Sequence, residues 1–388
     1  MYPTISHLIA DIFGVYIPLP IQTFGFWVAI AFFTAAYLLT KELERKEKEG
    51  LLKSVLINKK IGEKMKINEI IISIISYFII GFKLVEAIFN YEDLVINPQE
   101  FILSSRGHFL GGIIFSLFFT FLKWKEKNKN KLEKPKIVEQ EIHPYQLVGN
   151  ITMIAAIAGI LGAKVFHHLE NFDSFLNDPI GQIFSFSGLT FYGGLITGAT
   201  AVILYSKKYK IKILDLCDSA APSLMLAYGI GRIGCQMSGD GDWGIVNLNS
   251  KPEWLSFLPD WMWSYTFPHN VINAGAPMAD CGEKFWYPYC YELLQPVWPT
   301  AFYETVLSVI IFSFLWYIRK KIRISGILFC IYLGLNGIER FFIEKIRVNT
   351  EYNILGGITQ AEIISTLLII ISVVGYFILS KMNKKQVN

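Results

Sequence analysis

The chain has 388 residues, of which 53% are hydrophobic, 15% aromatic and only 18% charged, against about 25% charged in an ordinary soluble domain. Mean hydropathy is +0.40, and several apolar runs reach the roughly 20 residues that cross a bilayer. These figures exclude a soluble enzyme, a disordered chain and a disulfide-dense scaffold, and a net charge of +4 gives no basic surface for nucleic acid.

Residues 1–20 have no basic n-region and no small-residue cleavage site, so they do not read as a signal peptide, and the first span serves as the insertion signal. Nine spans are predicted, at 24–40, 69–88, 103–122, 146–166, 188–205, 213–235, 300–318, 325–344 and 360–380. The segments after spans one, three, five, seven and nine hold 27 of the 36 Lys and Arg residues. By the positive-inside rule the N-terminus is outside and the C-terminus cytoplasmic. The expected protein is therefore an all-α integral membrane protein of about nine transmembrane helices, with a long outer loop at 245–299, in the bacterial inner (cytoplasmic) membrane. That loop holds Cys281 and Cys290 on the oxidising side, as a disulfide or as two free thiols. No CxxC pair and no His/Cys cluster has zinc spacing, so no metal site is expected.

The chain also repeats itself. Gly81-Phe82-Lys83 matches Gly162-Ala163-Lys164 at an offset of 81, as Asn90 matches Asn171, Pro98 matches Pro179 and Gly107 matches Gly188. One residue later, Phe109-Leu110-Gly111-Gly112 matches Phe191-Tyr192-Gly193-Gly194. Two spans per copy preserve orientation, which makes this a parallel duplication rather than an inverted transporter repeat. The expected partition is 1–144 with the first copy, 145–244 with the second copy and a Gly-Arg-x-Gly motif, 245–299 as outer loop, and 300–388 as C-terminal helices.

Polar groups inside a span cost about 2.5–3.5 kcal/mol each on insertion scales, so they mark function by default. The richest stretch runs from Tyr228-Gly229-Ile230-Gly231-Arg232-Ile233-Gly234-Cys235 to Ser238-Gly239-Asp240-Gly241-Asp242-Trp243-Gly244. It reads as a glycine-packed helix end with a snorkelling Arg232, or as a clamp for an anionic headgroup. In span eight Arg340, Glu344 and Arg347 share one helical stripe, with Glu339 beside it. Pro299-Thr300 and Tyr303-Glu304 open span seven. By the expected topology Tyr192, Arg232, Glu304, Arg340 and Glu344 all lie toward the outer face. A transporter would instead carry polar groups near the midplane.

At these residues the sequence resembles the prolipoprotein diacylglyceryl transferase family. The resemblance rests on Gly188-Leu189-Thr190-Phe191-Tyr192-Gly193-Gly194-Leu195-Ile196, on Gly231-Arg232-Ile233-Gly234 with Ser238-Gly239 and Trp243-Gly244, on Pro299-Thr300 with Tyr303-Glu304, on Arg340-Phe341-Phe342-Ile343-Glu344 with Arg347, and on the segments that begin at Gly81 and Gly162. It covers much of 145–380. It implies a seven-span core, here extended by a duplicated pair. It also implies transfer of the diacylglyceryl group of phosphatidylglycerol to the lipobox cysteine of preprolipoproteins, with glycerol phosphate leaving and no metal or organic cofactor. The implied partners are that lipid and the lipobox signal peptide.

The implied catalytic set is Tyr192, Arg232, Asp240, Arg340 and Glu344. Arg232 and Arg340 hold the phosphate, and Glu344 orients Arg340. Substrate binding is expected of Arg232, Gly193, Gly194, Ser238, Gly239, Gly244, Tyr303, Glu304 and Arg347. The chain departs from the family pattern at four places. Tyr192 stands for a histidine, Cys235 for an asparagine, Asp240 for a glutamate and Glu362 for a glutamine. A phenol with a pKa near 10 is a poor base at pH 7, so Tyr192 is expected to orient rather than deprotonate. His108, His167 and His168 are the alternative bases. The rival reading is a degenerate member that binds phospholipid or signal peptide without transfer.

Overall fold

The computed structural model describes residues 1–184, 190–349, 351–352 and 357–387. Gly188 and Leu189, which the repeat and the motif include, lie outside the described residues. Among the described residues the long helices are α1 Thr23–Lys48, α2 Ile67–Phe89, α3 Phe109–Lys129, α4 Val148–Glu170, α5 Phe191–Lys208, α6 Ile213–Ser238, α7 Thr300–Ile318, α8 Ile327–Glu344 and α9 Gln360–Val387. Each overlaps one predicted span, with ends that differ by up to eight residues. Six stretches are long and apolar enough to cross a membrane: Thr23–Lys48, Ile67–Phe89, Pro144–Glu170, Ile213–Ser238, Thr300–Ile318 and Gln360–Lys384. The other three helices fall short because α3 and α5 end in lysines and α8 carries Glu339, Arg340 and Glu344. The protein is thus an essentially all-helical integral membrane protein with six self-sufficient candidate spans. Its helices expose apolar side chains, such as Ile371, Val374 and Phe377 on α9, as lipid contact requires.

Two compact units form, Lys53–Tyr205 and the combination of Met1–Leu52 with Ser206–Asn388. Both repeat copies fall in the first. In that unit β1 Val55–Ile61 pairs antiparallel with β2 Lys136–Ile142, Val55 opposite Ile142. The strands join the loop after α1 to the loop after α3.

The two copies share backbone detail. Asn90 and Asn171 end α2 and α4 with nearly the same dihedrals (φ −120, ψ 51 and φ −118, ψ 49). Two six-residue helices follow each, and the second begins at Pro98 or Pro179. The His108 N–H donates to the Phe82 carbonyl at 2.9 Å, and the Thr190 N–H to the Ala163 carbonyl at 3.1 Å. Glycines let the paired helices touch. A Cβ on Gly81 would lie 2.9 Å from the Gly111 carbonyl oxygen, and one on Gly193 would lie 2.8 Å from that of Gly162.

In the other unit α6 packs on α1, α7 and α8, and α8 packs on α9. Met225, Leu315 and Leu328 form its centre, with Tyr228, Ile311, Phe312, Ile331, Tyr332 and Leu335 around them. The glycines of α6 serve these contacts: a Cβ on Gly229 would lie 2.8 Å from Ser308 Cβ of α7, and one on Gly234 would lie 3.1 Å from Trp27 Cβ of α1.

Polar groups gather at both ends of this bundle. At one end Glu42 accepts from Arg45 and from Arg319, Lys46 donates to the Asp215 carbonyl at 2.9 Å, and Asp218 caps α8 by accepting from the Gly326 and Phe329 N–H groups. The other end carries the candidate site.

Candidate active site

The site forms where α6 and α8 end and α7 begins. Gly239 terminates α6 in the left-handed region at φ +64, and its N–H donates to the Cys235 carbonyl at 3.0 Å, the usual glycine C-cap. The chain then turns through Asp240 and Asp242 to Gly244. The Gly244 N–H donates to the Trp298 carbonyl at 2.8 Å, and the Ile245 N–H to the Ile346 carbonyl at 2.9 Å. Gly244 forms an isolated antiparallel bridge with Arg347. A Cβ at Gly244 would collide with the Ile346 carbonyl oxygen, Trp298 Cβ and Thr300 Cγ2. The absent side chain is what lets the post-α6 turn, the post-α8 segment and the start of α7 meet.

Glu304, in the first turns of α7, is 0% exposed and is the hub. It ion-pairs through Oε2 with Arg232 Nε, and through Oε1 with Arg347 Nη1 at 3.0 Å and Arg340 Nη1 at 3.3 Å. The Tyr228 hydroxyl donates to Oε2 at 2.7 Å. Asp242 forms a second bridge, with Oδ2 on Arg232 Nη1 and Oδ1 on Arg347 Nη2. Glu344 pairs with Arg340 Nη2 at 3.2 Å and accepts from Asn349 Nδ2 at 2.5 Å. Three guanidiniums from separate segments thus interlock with three carboxylates. Buried carboxylates such as Glu304 and Glu344 persist as charges only when paired and hydrogen-bonded.

The electrostatics of the turn follow from burial and from these partners. Burial alone would raise the Asp242 carboxyl, but Arg232 and Arg347 outweigh it and hold Asp242 below the usual range. Asp240 is pushed up by burial and by the neighbouring Asp242 charge. Burial opposes the Arg347 charge, yet Asp242 and Glu304 overcome it and raise its pKa. Among the described residues, one ligand atom each from Cys235, Asp240 and Asp242 falls within 4.8 Å of the others. Both Asp242 oxygens already accept from arginines, which opposes a cation there.

The remaining expected residues take other places. Ser238 is buried, with its hydroxyl 3.4 Å from the Cys235 carbonyl. Asp240 accepts from the Asp242 N–H at 3.2 Å and shapes the turn. The Tyr303 hydroxyl donates to the Met262 carbonyl at 2.8 Å and ties the long loop to α7. Cys281 and Cys290 in that loop are disulfide-bonded, with Cα atoms 5.2 Å apart. Glu362 pairs with Lys345 and caps α9 through the Thr359 N–H.

Tyr192, Gly193 and Gly194 belong to α5 in the Lys53–Tyr205 unit, where both glycines serve the contact with α4. His108 caps α3 by accepting from the Gly111 N–H, and His167 lies 3.3 Å from Asn171 Nδ2. Asp242 and Tyr228 were missed as site residues. The only sequence signals were Asp242's place two residues after Asp240 and Tyr228's place one helical turn before Arg232.

A family model for prolipoprotein diacylglyceryl transferase matches residues 129–378, more than half of the chain. The chain belongs to this family. Among its relatives, the phosphatidylglycerol–prolipoprotein diacylglyceryl transferase of Clostridium botulinum (strain Langeland) is 31% identical over 239 residues, which covers 61% of this chain and 81% of the relative. The Hall-strain protein of the same name is 32% identical over 239 residues, with the same coverage. The protein of that name from Corynebacterium glutamicum (strain ATCC 13032) is 24% identical over 279 residues, covering 70% of this chain and 77% of the relative. The family match includes every member of the arginine–carboxylate cluster. The first repeat copy precedes residue 129 apart from the last residue of α3.

Proposed function

We propose that this chain transfers the diacylglyceryl group of phosphatidylglycerol to the thiol of a lipobox cysteine in a preprolipoprotein, releasing glycerol phosphate. Family membership and the activity for which the relatives are named support the reaction. The observation that carries the site assignment is the gathering of Arg232, Arg340 and Arg347 on the buried Glu304. The scissile bond expels a phosphate ester, and preorganised guanidiniums stabilise the charge that develops on it. A cysteine thiol has a pKa near 8.5, and nearby cations increase its thiolate fraction.

In this reading Arg232 and Arg340 hold the phosphate, Glu344 orients Arg340, and Arg347 adds positive field. Glu304 holds the three guanidiniums in register. Asp240, Ser238, Gly239 and Gly244 shape the turn that presents Arg232, and Tyr303 fixes the long loop. Tyr192 supplies a hydrogen bond rather than a base, and Gly193 and Gly194 set the position of its helix.

The membrane arrangement belongs to the same proposal: nine crossings in the inner membrane, the N-terminus outside, and the arginine cluster reached from the outer leaflet. Two observations support it. The starts of α1 and α7 share an end of the bundle with the ends of α6 and α8, since Trp27 donates to Met237 Sδ at 3.1 Å and Glu304 meets Arg232 and Arg340. The lysine-rich loops after α1 and α3 pair as strands, so both lie on one side.

Purified protein given labelled phosphatidylglycerol and a lipobox peptide should yield lipidated peptide and glycerol phosphate in equal amounts. Folded protein that binds the lipid yet forms neither product would favour the degenerate binder, the reading that Tyr192 and Cys235 motivate.

A further inference from the structure

The two carboxylates that bridge Arg232 and Arg347 are not equivalent. Glu304 is fully buried and accepts from a third arginine and from Tyr228. The Asp242 side chain is 34% exposed. It holds one nitrogen of each arginine, Nη1 of Arg232 and Nη2 of Arg347, on its two oxygens. That is the arrangement in which two non-bridging phosphate oxygens would bind a pair of guanidiniums. The Asp242 carbonyl is fixed separately by the Thr300 hydroxyl at 2.9 Å. The backbone at Asp242 is therefore held by a contact that does not involve its carboxylate.

From this geometry we infer that Asp242 is a built-in occupant of the phosphate position, displaced by the lipid's phosphodiester and returning to expel the product. The inference rests on the reading that these arginines receive phosphate. The exchange leaves the count of ion-paired charges unchanged. Arg232, Arg340 and Arg347 stand against Glu304, Glu344 and Asp242. A phosphodiester carries one negative charge, so replacing the Asp242 carboxylate leaves the cluster neutral. The released phosphate monoester approaches two negative charges at neutral pH and holds the arginines more tightly than the diester does. A carboxylate tethered beside the site competes with it at high local concentration. Asp242 thus trades affinity for turnover and is a positioning residue, not a group that touches the reacting atoms.

The test measures binding apart from transfer. Glycerol phosphate is titrated into detergent-solubilised full-length protein, wild type beside Asp242→Asn and Asp242→Ser, each shown to be folded by its melting curve. Both variants should bind glycerol phosphate about fivefold more tightly, the factor expected when a partly exposed competing ion pair is removed. In the transfer assay KM for phosphatidylglycerol should fall, and kcat should fall with it as product release slows.

Unchanged or weaker glycerol phosphate binding in both folded variants would overturn the inference and leave Asp242 a structural brace. Tighter binding with no transfer by wild type would support the exchange while removing the proposed reaction. Transfer by wild type with no glycerol phosphate binding by any form would remove the exchange and keep the reaction.

Discussion

Glu304→Gln is the most informative single change for stability. It keeps size and shape but replaces a carboxylate that accepts from Tyr228, Arg232, Arg340 and Arg347. The amide retains one acceptor oxygen and turns N–H groups toward guanidiniums that are themselves donors only. Stripping one partner from a buried ionic group costs about 3–5 kcal/mol, because the charges left behind are uncompensated. That is a large part of the roughly 5–15 kcal/mol that holds a folded protein together.

Two comparisons calibrate the loss. Tyr228→Phe removes one hydrogen bond to the same oxygen and should cost about 1 kcal/mol. Asp242→Asn breaks ion pairs on a partly exposed side chain and should cost about 1 kcal/mol or less. Thermal unfolding in one detergent should therefore rank Glu304→Gln far below the other two. Adding Arg347→Gln to Glu304→Gln should cost little more, since the orphaned charge goes with it, so the pair should be non-additive by more than about 1 kcal/mol. A Glu304→Gln loss below about 1 kcal/mol, or strict additivity, would refute the hub.

Further expectations concern the turn, the long loop and the two repeat copies. Gly244→Ala should lower both stability and activity, because its Cβ meets Trp298 and the Ile346 carbonyl; an unaltered melt and rate would show that these segments separate freely. Replacing Cys281 and Cys290 by serine frees a loop with a sequence separation of 9 and should cost about 2–3 kcal/mol of local stability, read as faster proteolysis or hydrogen exchange within 276–293. Trp286 stacks on His7 and on His269, with ring centroids 4.8 and 4.1 Å apart, and burial lowers the pKa of both histidines. A lowered histidine pKa means that the unfolded chain binds protons first, so stability is lost as pH falls below about 6.5. Melting between pH 7.5 and 5 should show this loss, and a His7→Gln, His269→Gln double variant with the same slope would contradict it. Tyr192→Phe should reduce turnover without removing a histidine-like limb from the pH profile; full turnover would end its assignment.

The positions of the long helices were legible because a bilayer demands about 20 apolar residues and lysines mark the ends. The repeat was legible for a different reason. Gly81, Gly162 and Gly193 are places where helix backbones touch, and Asn90 and Asn171 are places where a helix must end, so the backbone constrains both residue types. Among the described residues, self-sufficient candidate spans number six because α3, α5 and α8 carry charge that a count of apolar runs tolerated. Arg340 with Glu344 was visible as an i, i+4 pair within one helix. The hub was not, because Glu304 meets Arg232, Arg340 and Arg347 only through packing among α6, α7 and α8. Read alone, Glu304 is an ordinary acid near a helix start. Asp242 was hidden for a related reason: a short acidic turn between glycines shows its use only once the segment after α8 bridges Gly244.

The central claim is best tested by transfer of labelled diacylglyceryl from phosphatidylglycerol to a lipobox peptide, with wild type beside Arg340→Ala and Arg340→Lys. Arg340 reaches both Glu304 and Glu344, so each variant needs its melting curve measured in the same detergent. The account predicts transfer by wild type, none by folded Arg340→Ala, and little by Arg340→Lys, because an ammonium lacks the planar fork of a guanidinium. Wild-type rates in a folded Arg340→Ala protein would contradict it.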